Sequence, residues 1–214
     1  MSGTIILTGA NGSAAIWTVR YLLEHHSEKH LVLTVRDTSD SDVNTVLLRH
    51  AISEYPDAKC TIRPLDLSKL AGVHEFAKTL ADEISRGEMP SLESIICNAF
   101  YWNLASAQVM TSDGHEQTFQ VNHIAHSALV LHLLRSFGPS GGRIVLFTSD
   151  AHWPGKNSLE KVPPKIPASL DELSNPPSDE ALDHLARGQN RYALSKLAIL
   201  MWMYALNRHL EKVC

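Results

Sequence analysis

Cysteine is scarce in this sequence and is never clustered. The three cysteines, Cys60, Cys97 and Cys214, are widely spaced and form no C-x-x-C pair, so the sequence predicts neither a disulfide framework nor a zinc site. The 12 histidines include no H-E-x-x-H or comparable ligand set, so we predict no metal centre. The cysteine pattern fits a protein of a reducing compartment.

An excess of one charge and long apolar runs are missing as well. The 19 basic and 23 acidic residues give a net charge of −4 without long single-sign runs, which argues against nucleic acid or an anionic membrane as a partner. No apolar run approaches the roughly 20 residues of a membrane span, and the N-terminus lacks a signal-peptide pattern. We therefore predict a cytoplasmic protein with a small-molecule partner, and the sequence leaves a homo-oligomer open.

The sequence does contain a regular alternation of short apolar runs and amphipathic segments. Five β-branched-rich runs predict buried strands. These runs are Thr4–Thr8, Leu31–Val35, Lys59–Arg63, Ser94–Cys97 and Arg143–Phe147. The segments with helical periodicity are Ala14–His26, Asp42–Tyr55, Leu70–Ile84, Asp113–Phe137 and Arg187–Leu210. Because each crossover must return over a face of the sheet, this order predicts a doubly wound α/β fold with a parallel sheet, in one domain of residues 1–214.

Residues 151–185 interrupt this alternation. They contain six of the ten prolines, namely Pro154, Pro163, Pro164, Pro167, Pro176 and Pro177. Proline removes a backbone donor and breaks helices, so no long helix is predicted here. Because the stretch is longer than most connections in compact domains, we interpret it as a functional lid, a binding loop or a mobile insertion.

The first predicted strand leads directly into a glycine-containing turn. Residues Thr8–Ala15 have the spacing G-x-x-G-x-x-A and precede a predicted helix. In this context glycines let backbone N–H groups approach a pyrophosphate, so Gly9, Asn11, Gly12 and Ser13 are candidate dinucleotide contacts. The alternative is a turn that needs glycine for steric reasons alone.

The second predicted strand ends in a pair of opposite charges, Arg36 and Asp37. In a dinucleotide site, residues at this point, roughly 20 residues after the glycine turn, contact the adenosine ribose. Arg36 can bind the 2′-phosphate of NADP(H), whereas Asp37 can accept from the ribose hydroxyls of NAD(H) if the register slips by one. We favour NADP(H), with NAD(H) as the alternative. Arg36 is also compatible with a solvated charge at the end of the strand.

Polar residues also follow the later strands. They are Asp66-Leu67, Asn98-Ala99 and Thr148-Ser149, with Asn122 inside the predicted helix 113–137. Tyr192 and Lys196 lie four residues apart on a predicted helix, so they share a face and can act on one bound molecule. Ser149 leaves the carboxyl edge of the sheet, where open α/β sheets bind ligands.

These ordered motifs resemble those of the short-chain dehydrogenase/reductase family, and the resemblance covers essentially the whole chain. Arg36, the Ser149–His152 run and the long insertion are most similar to retinol-dehydrogenase-like and fungal ketoreductase-like members. The resemblance implies a Rossmann-like fold and an NADP(H)-dependent oxidoreductase that transfers hydride between nicotinamide and a ketone or secondary alcohol. The cofactor contacts it implies are Gly9, Asn11, Gly12, Ser13, Arg36, Asp66, Leu67, Asn98, Ala99, Tyr192 and Lys196.

The resemblance also assigns roles to four catalytic residues. Tyr192 is the general acid for reduction, and the Lys196 ammonium one turn away favours its phenolate and holds the nicotinamide ribose. Ser149 donates a hydrogen bond to the carbonyl oxygen as charge develops there. Asn122 positions a water that relays protons to Lys196.

The sequence departs from the family pattern at three places. Ala15 and Phe100 replace glycines of the family's motifs, and the chain stops at Cys214, before the family's last strands. We therefore expect a C-terminally truncated chain whose strand 143–147 is a sheet edge and whose substrate pocket lacks a wall. The alternative function is a non-catalytic dinucleotide-binding or partner-binding protein.

Aromatic residues near the predicted cleft raise a hypothesis about the substrate. The Tyr101-Trp102 pair and Trp153 can form an aromatic site for an apolar substrate, although each is equally compatible with packing.

Overall fold

The computed structural model describes residues 3–178 and 183–212. Cys214 and residues 179–182 of the predicted insertion lie outside the described residues. The chain divides into two compact units. Unit 1 comprises Met1–Leu67, Ala71–Ala99 and Ala128–Val145, and unit 2 comprises Ser68–Leu70, Phe100–Ser127 and Leu146–Cys214. The assignment of residues 1–214 to one domain stays a prediction.

Unit 1 is built on a five-stranded sheet with the strand order β3-β2-β1-β4-β5. The strands are β1 (Thr4–Thr8), β2 (His30–Val35), β3 (Cys60–Pro64), β4 (Leu92–Cys97) and β5 (Arg143–Leu146). β1 pairs in parallel with β2 and β4, and β2 pairs in parallel with β3. The predicted doubly wound, Rossmann-like architecture is therefore confirmed, and the strand bounds differ from the predicted ones by at most two residues.

Three helices connect the strands of unit 1, namely α1 (Ser13–His25), α2 (Val43–Ser53) and α3 (Leu70–Ser85). β1 is central in the sheet, and all of its residues are buried. The residues that α1 buries, Ala15, Val19, Leu22 and Leu23, recur three or four positions apart or lie side by side and form one apolar stripe. They belong to a core that also contains Leu33 of β2.

The predicted helix 113–137 is divided into four parts. They are α4 (Gln117–Phe119), a π-helical turn (Gln120–Ile124), α5 (Ala125–Leu133) and a 3₁₀ turn (Leu134–Ser136). The predicted start at Asp113 is wrong because Glu116 is the N-cap, and its carboxylate accepts the N–H of Phe119 at 2.9 Å. The preceding residues turn at Gly114, whose φ is +82°.

Unit 2 is organised around a long helix, α7 (His184–Leu210). It begins three residues before the predicted start, because the carboxylate of Asp183 caps it by accepting the N–H of Ala186 at 3.1 Å. Before α7 begins, the described part of the insertion contains only the end of a 3₁₀ turn (Asp150–His152) and a short helix, α6 (Asp171–Ser174). None of the described helices is both long and apolar enough to cross a membrane.

Candidate active site

The glycine turn after β1 needs its first glycine for two physical reasons. Gly9 has a φ of +63°, a region that disfavours side chains with a Cβ. A Cβ built on Gly9 would also lie 2.9 Å from the Cα of Ala99, which is closer than real contacts allow. Two residues predicted separately as cofactor contacts are therefore neighbours.

Asn98 and Ala99 brace this turn from the end of β4. The side-chain amide of Asn98 donates to the carbonyl oxygens of Thr8 at 3.0 Å and Gly9 at 3.2 Å. The backbone N–H of Ala99 donates to the Thr8 hydroxyl at 3.0 Å. Because the two bonds from Asn98 end on backbone carbonyl oxygens of the turn, they fix its shape. The glycine motif and the Asn-Ala motif thus form one structural cluster.

The N-terminus of α1 is suited to an anion. Its N-cap, Gly12, makes no side-chain capping bond within the described chain, and the first helical turn contains no acidic residue. Gly12 and Ser13 are exposed. The amide of Asn11 donates to a carboxylate oxygen of Asp42 at 2.9 Å and to the hydroxyl of Thr45 at 3.1 Å. Asn11 therefore ties the turn to the start of α2.

The remaining predicted cofactor residues of unit 1 follow β2 and β3. Arg36 is exposed immediately after β2. The carboxylate of its neighbour Asp37 accepts the N–H of Ser39 at 2.8 Å, and this bond lowers the pKa of Asp37. Asp66 is half-buried two residues after β3, and Leu67 is buried.

Tyr192 and Lys196 share one face of α7 in unit 2. The side chain of Lys196 is buried, with the residue 5% exposed, and its Nζ lies 5.6 Å from the centroid of the Tyr192 ring. The ammonium donates to the carbonyl oxygen of Phe147 at 3.0 Å. Burial lowers the pKa of Lys196 to about 8.

Ser149 lies near the same tyrosine, and its hydroxyl donates to the carboxylate of Asp150 at 3.1 Å. Burial raises the pKa of Tyr192, the nearby Ser149 hydroxyl offsets part of that rise, and the charge of Asp150 adds to it. We expected the Lys196 ammonium to lower the pKa of Tyr192. The pKa moves in the opposite direction because burial is the dominant effect.

Asn122 is held by protein atoms on all sides. It lies in the π-helical turn and is 2% exposed. Its amide donates to the carbonyl oxygen of Tyr101 at 2.9 Å and to the hydroxyl of Ser195 at 3.0 Å. Its side-chain oxygen accepts the Tyr101 N–H at 2.7 Å. Both N–H groups of the Asn122 side chain are therefore bonded to protein atoms. A water that relays protons to Lys196 would have to bind another atom of Asn122.

Comparison with known proteins shows which family shares these motifs. Residues 3–157 match the model of the KR domain family. A WW domain-containing oxidoreductase of Gallus gallus is 31% identical over 97% of this chain and 45% of its own length. The chain belongs to the short-chain dehydrogenase/reductase family. This assignment confirms the resemblance seen in the sequence and makes the protein a member of an oxidoreductase family.

Other relatives in the short-chain dehydrogenase/reductase family are fungal. The short-chain dehydrogenase iccH of Talaromyces variabilis is 26% identical over 98% of this chain and 65% of its own length. The short-chain dehydrogenase/reductase tropG of Talaromyces stipitatus is 27% identical over 97% of this chain and 61% of its own length. The chain therefore spans less than two thirds of the length of these two relatives.

Solved structures of low identity share the fold. The NADPH-bound carbonyl reductase from chicken fatty liver superposes with a TM-score of 0.64 at 18% identity, covering 98% of this chain and 74% of that one. A short-chain dehydrogenase from Sphingobium yanoikuyae in complex with NADPH gives a TM-score of 0.64 at 20% identity, covering 98% and 66%. These likenesses establish the family fold for this chain.

Sequence reasoning missed several groups that hold the family motifs in position. Nothing in the sequence pattern indicates a role for Ser195 except its position between Tyr192 and Lys196. The buried ion pair between Glu116 and Arg191, with 3.5 Å between carboxylate oxygen and guanidinium nitrogen, joins the start of α4 to α7. Charged residues usually lie at the surface, so no local pattern predicts such a pair.

Within the described residues, no three His, Cys, Asp or Glu side chains form a group able to hold a metal.

Proposed function

We propose that this protein is an NADP(H)-dependent oxidoreductase that transfers hydride between nicotinamide and a ketone or secondary alcohol. One observation carries the proposal: the buried Lys196 ammonium lies 5.6 Å from the Tyr192 ring centroid on one face of α7, and the Ser149 hydroxyl is near enough to lower the pKa of the same tyrosine. A phenol beside a cation and a hydroxyl can deliver a proton to a bound carbonyl oxygen. The arrangement therefore supports acid catalysis of carbonyl reduction.

The residues of unit 1 fit a dinucleotide. Gly9 abuts Ala99 where a side chain would lie, and this packing holds the turn that leads into α1. The uncapped start of α1 presents N–H groups and the positive end of the helix dipole, which suit a pyrophosphate. We assign further contacts to Asp66 and Leu67 after β3 and to Asn98-Ala99 after β4.

Arg36 supports NADP(H) over NAD(H). Among residues 3–178 and 183–212, its guanidinium makes no hydrogen bond or ion pair, so it can bind a 2′-phosphate without losing a partner. The carboxylate of Asp37 is instead engaged by the N–H of Ser39. The chicken carbonyl reductase and the Sphingobium dehydrogenase, both determined with NADPH, favour the same choice.

The proposed chemistry is a balanced two-electron reduction. When bound, the reduced dinucleotide would supply a hydride to the carbonyl carbon. As the C=O π bond breaks, the oxygen would take the proton of Tyr192 to give a secondary alcohol, and the phenolate would then regain a proton from water. A tyrosine phenol is protonated at neutral pH, as a proton donor requires. Ser149 orients the phenol and donates to the oxygen as negative charge develops. Lys196, which donates to the carbonyl oxygen of Phe147 in this structure, would hold the ribose hydroxyls of the dinucleotide.

Two measurements on the same sample test the proposal. Binding is followed by the fluorescence of NADPH and NADH during titration with the protein, and turnover by NADPH oxidation with a panel of apolar ketones. We expect tighter binding of NADPH than NADH and ketone-dependent oxidation of NADPH. NADPH binding without turnover on any ketone would support the alternative, a non-catalytic dinucleotide-binding protein. Absence of dinucleotide binding would contradict both.

A further inference from the structure

Three aromatic rings meet at the proton-donating tyrosine. The centroid of the Trp102 ring lies 5.6 Å from that of Tyr192, and the centroid of Phe100 lies 6.4 Å from it. Phe100 and Trp102 are themselves 6.4 Å apart, at 78° between their planes. The sequence hypothesis named Tyr101 as the partner of Trp102, but the ring that pairs with Trp102 is that of Phe100. Tyr101 bonds to Asn122 through its backbone.

These two rings are exposed to a degree that needs an explanation. Phe100 is 57% exposed and Trp102 is 48% exposed. Single exposed apolar side chains are normal, but rings that contact one another and a reactive group mark a binding surface. The Nζ of Lys196 lies 5.8 Å from the Phe100 ring centroid, so this ring borders both proposed catalytic side chains.

We infer that Phe100 and Trp102 form a subsite for an aromatic ring bonded directly to the carbonyl carbon of the substrate, so that the preferred substrates are aryl ketones or benzylic alcohols. The inference rests on the proposed function. A carbonyl oxygen bonded to the Tyr192 hydroxyl lies about 2.6–3.2 Å from it. The group attached to that carbonyl carbon is then within reach of both rings.

Ring geometry favours an aromatic group over a saturated one. The planes of Phe100 and Trp102 are inclined to the Tyr192 ring by 64° and 59°. Steeply inclined rings present both edges and faces, and a further aromatic ring can pair with them edge-to-face or in an offset stack. A cyclohexyl group buries similar area but lacks the quadrupole that makes such pairs favourable.

Matched substrates isolate this effect. Acetophenone and cyclohexyl methyl ketone have the same carbon skeleton and differ in aromaticity. We take the ratio of kcat/KM for acetophenone to kcat/KM for cyclohexyl methyl ketone. Comparing this ratio between variants cancels the intrinsic difference in reactivity of the two ketones. In Trp102→Leu and in Phe100→Leu we expect this ratio to fall about two- to tenfold. Trp102→Phe, which keeps a ring, retains most of the preference. The control is Trp17→Leu, a matched change at a residue of α1 that is 74% exposed, and it leaves the ratio unchanged.

A binding measurement separates this inference from the proposed function. Benzamide and cyclohexanecarboxamide mimic the two ketones but are not reduced, so calorimetry gives their dissociation constants without turnover. A benzamide preference that Trp102→Leu abolishes supports the aryl subsite even if no ketone is reduced. Ketone reduction with the same ratio in Trp102→Leu and Trp17→Leu overturns the subsite and leaves the function standing. Self-association that Trp102→Leu abolishes would also overturn it, because a second copy would then be the occupant.

Discussion

The amide of Asn122 donates a hydrogen bond of 3.0 Å to the hydroxyl of Ser195, and both residues are buried. The same hydroxyl donates to the carbonyl oxygen of Tyr192 at 2.7 Å. Ser195 therefore links the π-helical turn to the turn of α7 that carries the proposed proton donor. It is a positioning residue, because it acts through Asn122 and Tyr192.

Removing this link should affect both stability and turnover. In Ser195→Ala a buried N–H of Asn122 loses its acceptor, which costs about 1–3 kcal/mol of unfolding free energy. We expect a lower kcat with a smaller change in KM, because Tyr192 loses orientation and the substrate contacts remain. Denaturant unfolding and steady-state kinetics measure the two effects. The control is Ser85→Ala, because the Ser85 hydroxyl makes only a local bond to the carbonyl oxygen of Asp82 at 2.8 Å.

Gly9→Ala should destabilise the protein and weaken dinucleotide binding. The variant requires a φ of +63° and brings a Cβ to 2.9 Å from the Cα of Ala99. The backbone conformation alone costs about 1–2 kcal/mol. Gly87→Ala is the matched control, because Gly87 has a φ of +72° but nothing described within 4 Å of the added Cβ. Equal loss of stability in the two variants would contradict the close approach.

Arg36→Ala should change cofactor preference. A charge-assisted bond to the 2′-phosphate is worth about 1.5–3 kcal/mol, so NADPH affinity should fall roughly 10- to 150-fold while NADH affinity stays within about twofold. Fluorescence titrations with both cofactors measure this difference. Arg86→Ala, which removes an exposed guanidinium paired with Glu88, serves as the control. Equal loss of affinity for both cofactors would remove Arg36 from the phosphate site.

Tyr192→Phe should abolish proton delivery but keep the ring. Ketone reduction should fall by at least about 100-fold, the lower range for general acid–base catalysis, while NADPH affinity stays nearly unchanged. Tyr204→Phe removes an exposed hydroxyl from the same helix and should have no such effect. Retention of most activity in Tyr192→Phe would mean that the proton comes from another group.

Buried histidines should make the free energy of unfolding fall at acid pH. Burial lowers the pKa of His126 to about 4, although a bond to the backbone of Asn122 opposes this shift. The unfolded state therefore binds more protons between pH 6.5 and 4, so the unfolding free energy falls as pH falls through that window. His126 alone accounts for about 2 kcal/mol between pH 7 and pH 5.

The acid effect is tested by denaturant unfolding at pH 7 and pH 5. His126→Gln keeps an N–H donor for the Asn122 carbonyl but does not titrate, so its stability should depend less steeply on pH than that of the unmodified protein. His123, whose pKa burial also lowers to about 4, accounts for part of the remaining slope. An unchanged slope in His126→Gln would show that this histidine is not buried in the neutral form.

Local features of the sequence predicted much of the fold. The strand bounds were right within two residues because short apolar runs and their turns are local signals. The long helix at 113–137 was predicted as one element and is four, because apolar periodicity does not register a cap at Glu116 or a π-helical turn at 120–124. The pattern gives the helical face, whereas hydrogen bonds decide where the helix begins.

The order and the period of residues along the chain were enough to predict the family, the parallel α/β architecture and the shared helical face of Tyr192 and Lys196. Three contacts became known from the folded chain: Gly9 abuts Ala99, Asn122 bonds to Ser195, and Phe100 rather than Tyr101 pairs with the ring of Trp102. These contacts span long separations or depend on side-chain direction. They arise because packing and buried hydrogen bonds select one arrangement among many that the local pattern allows.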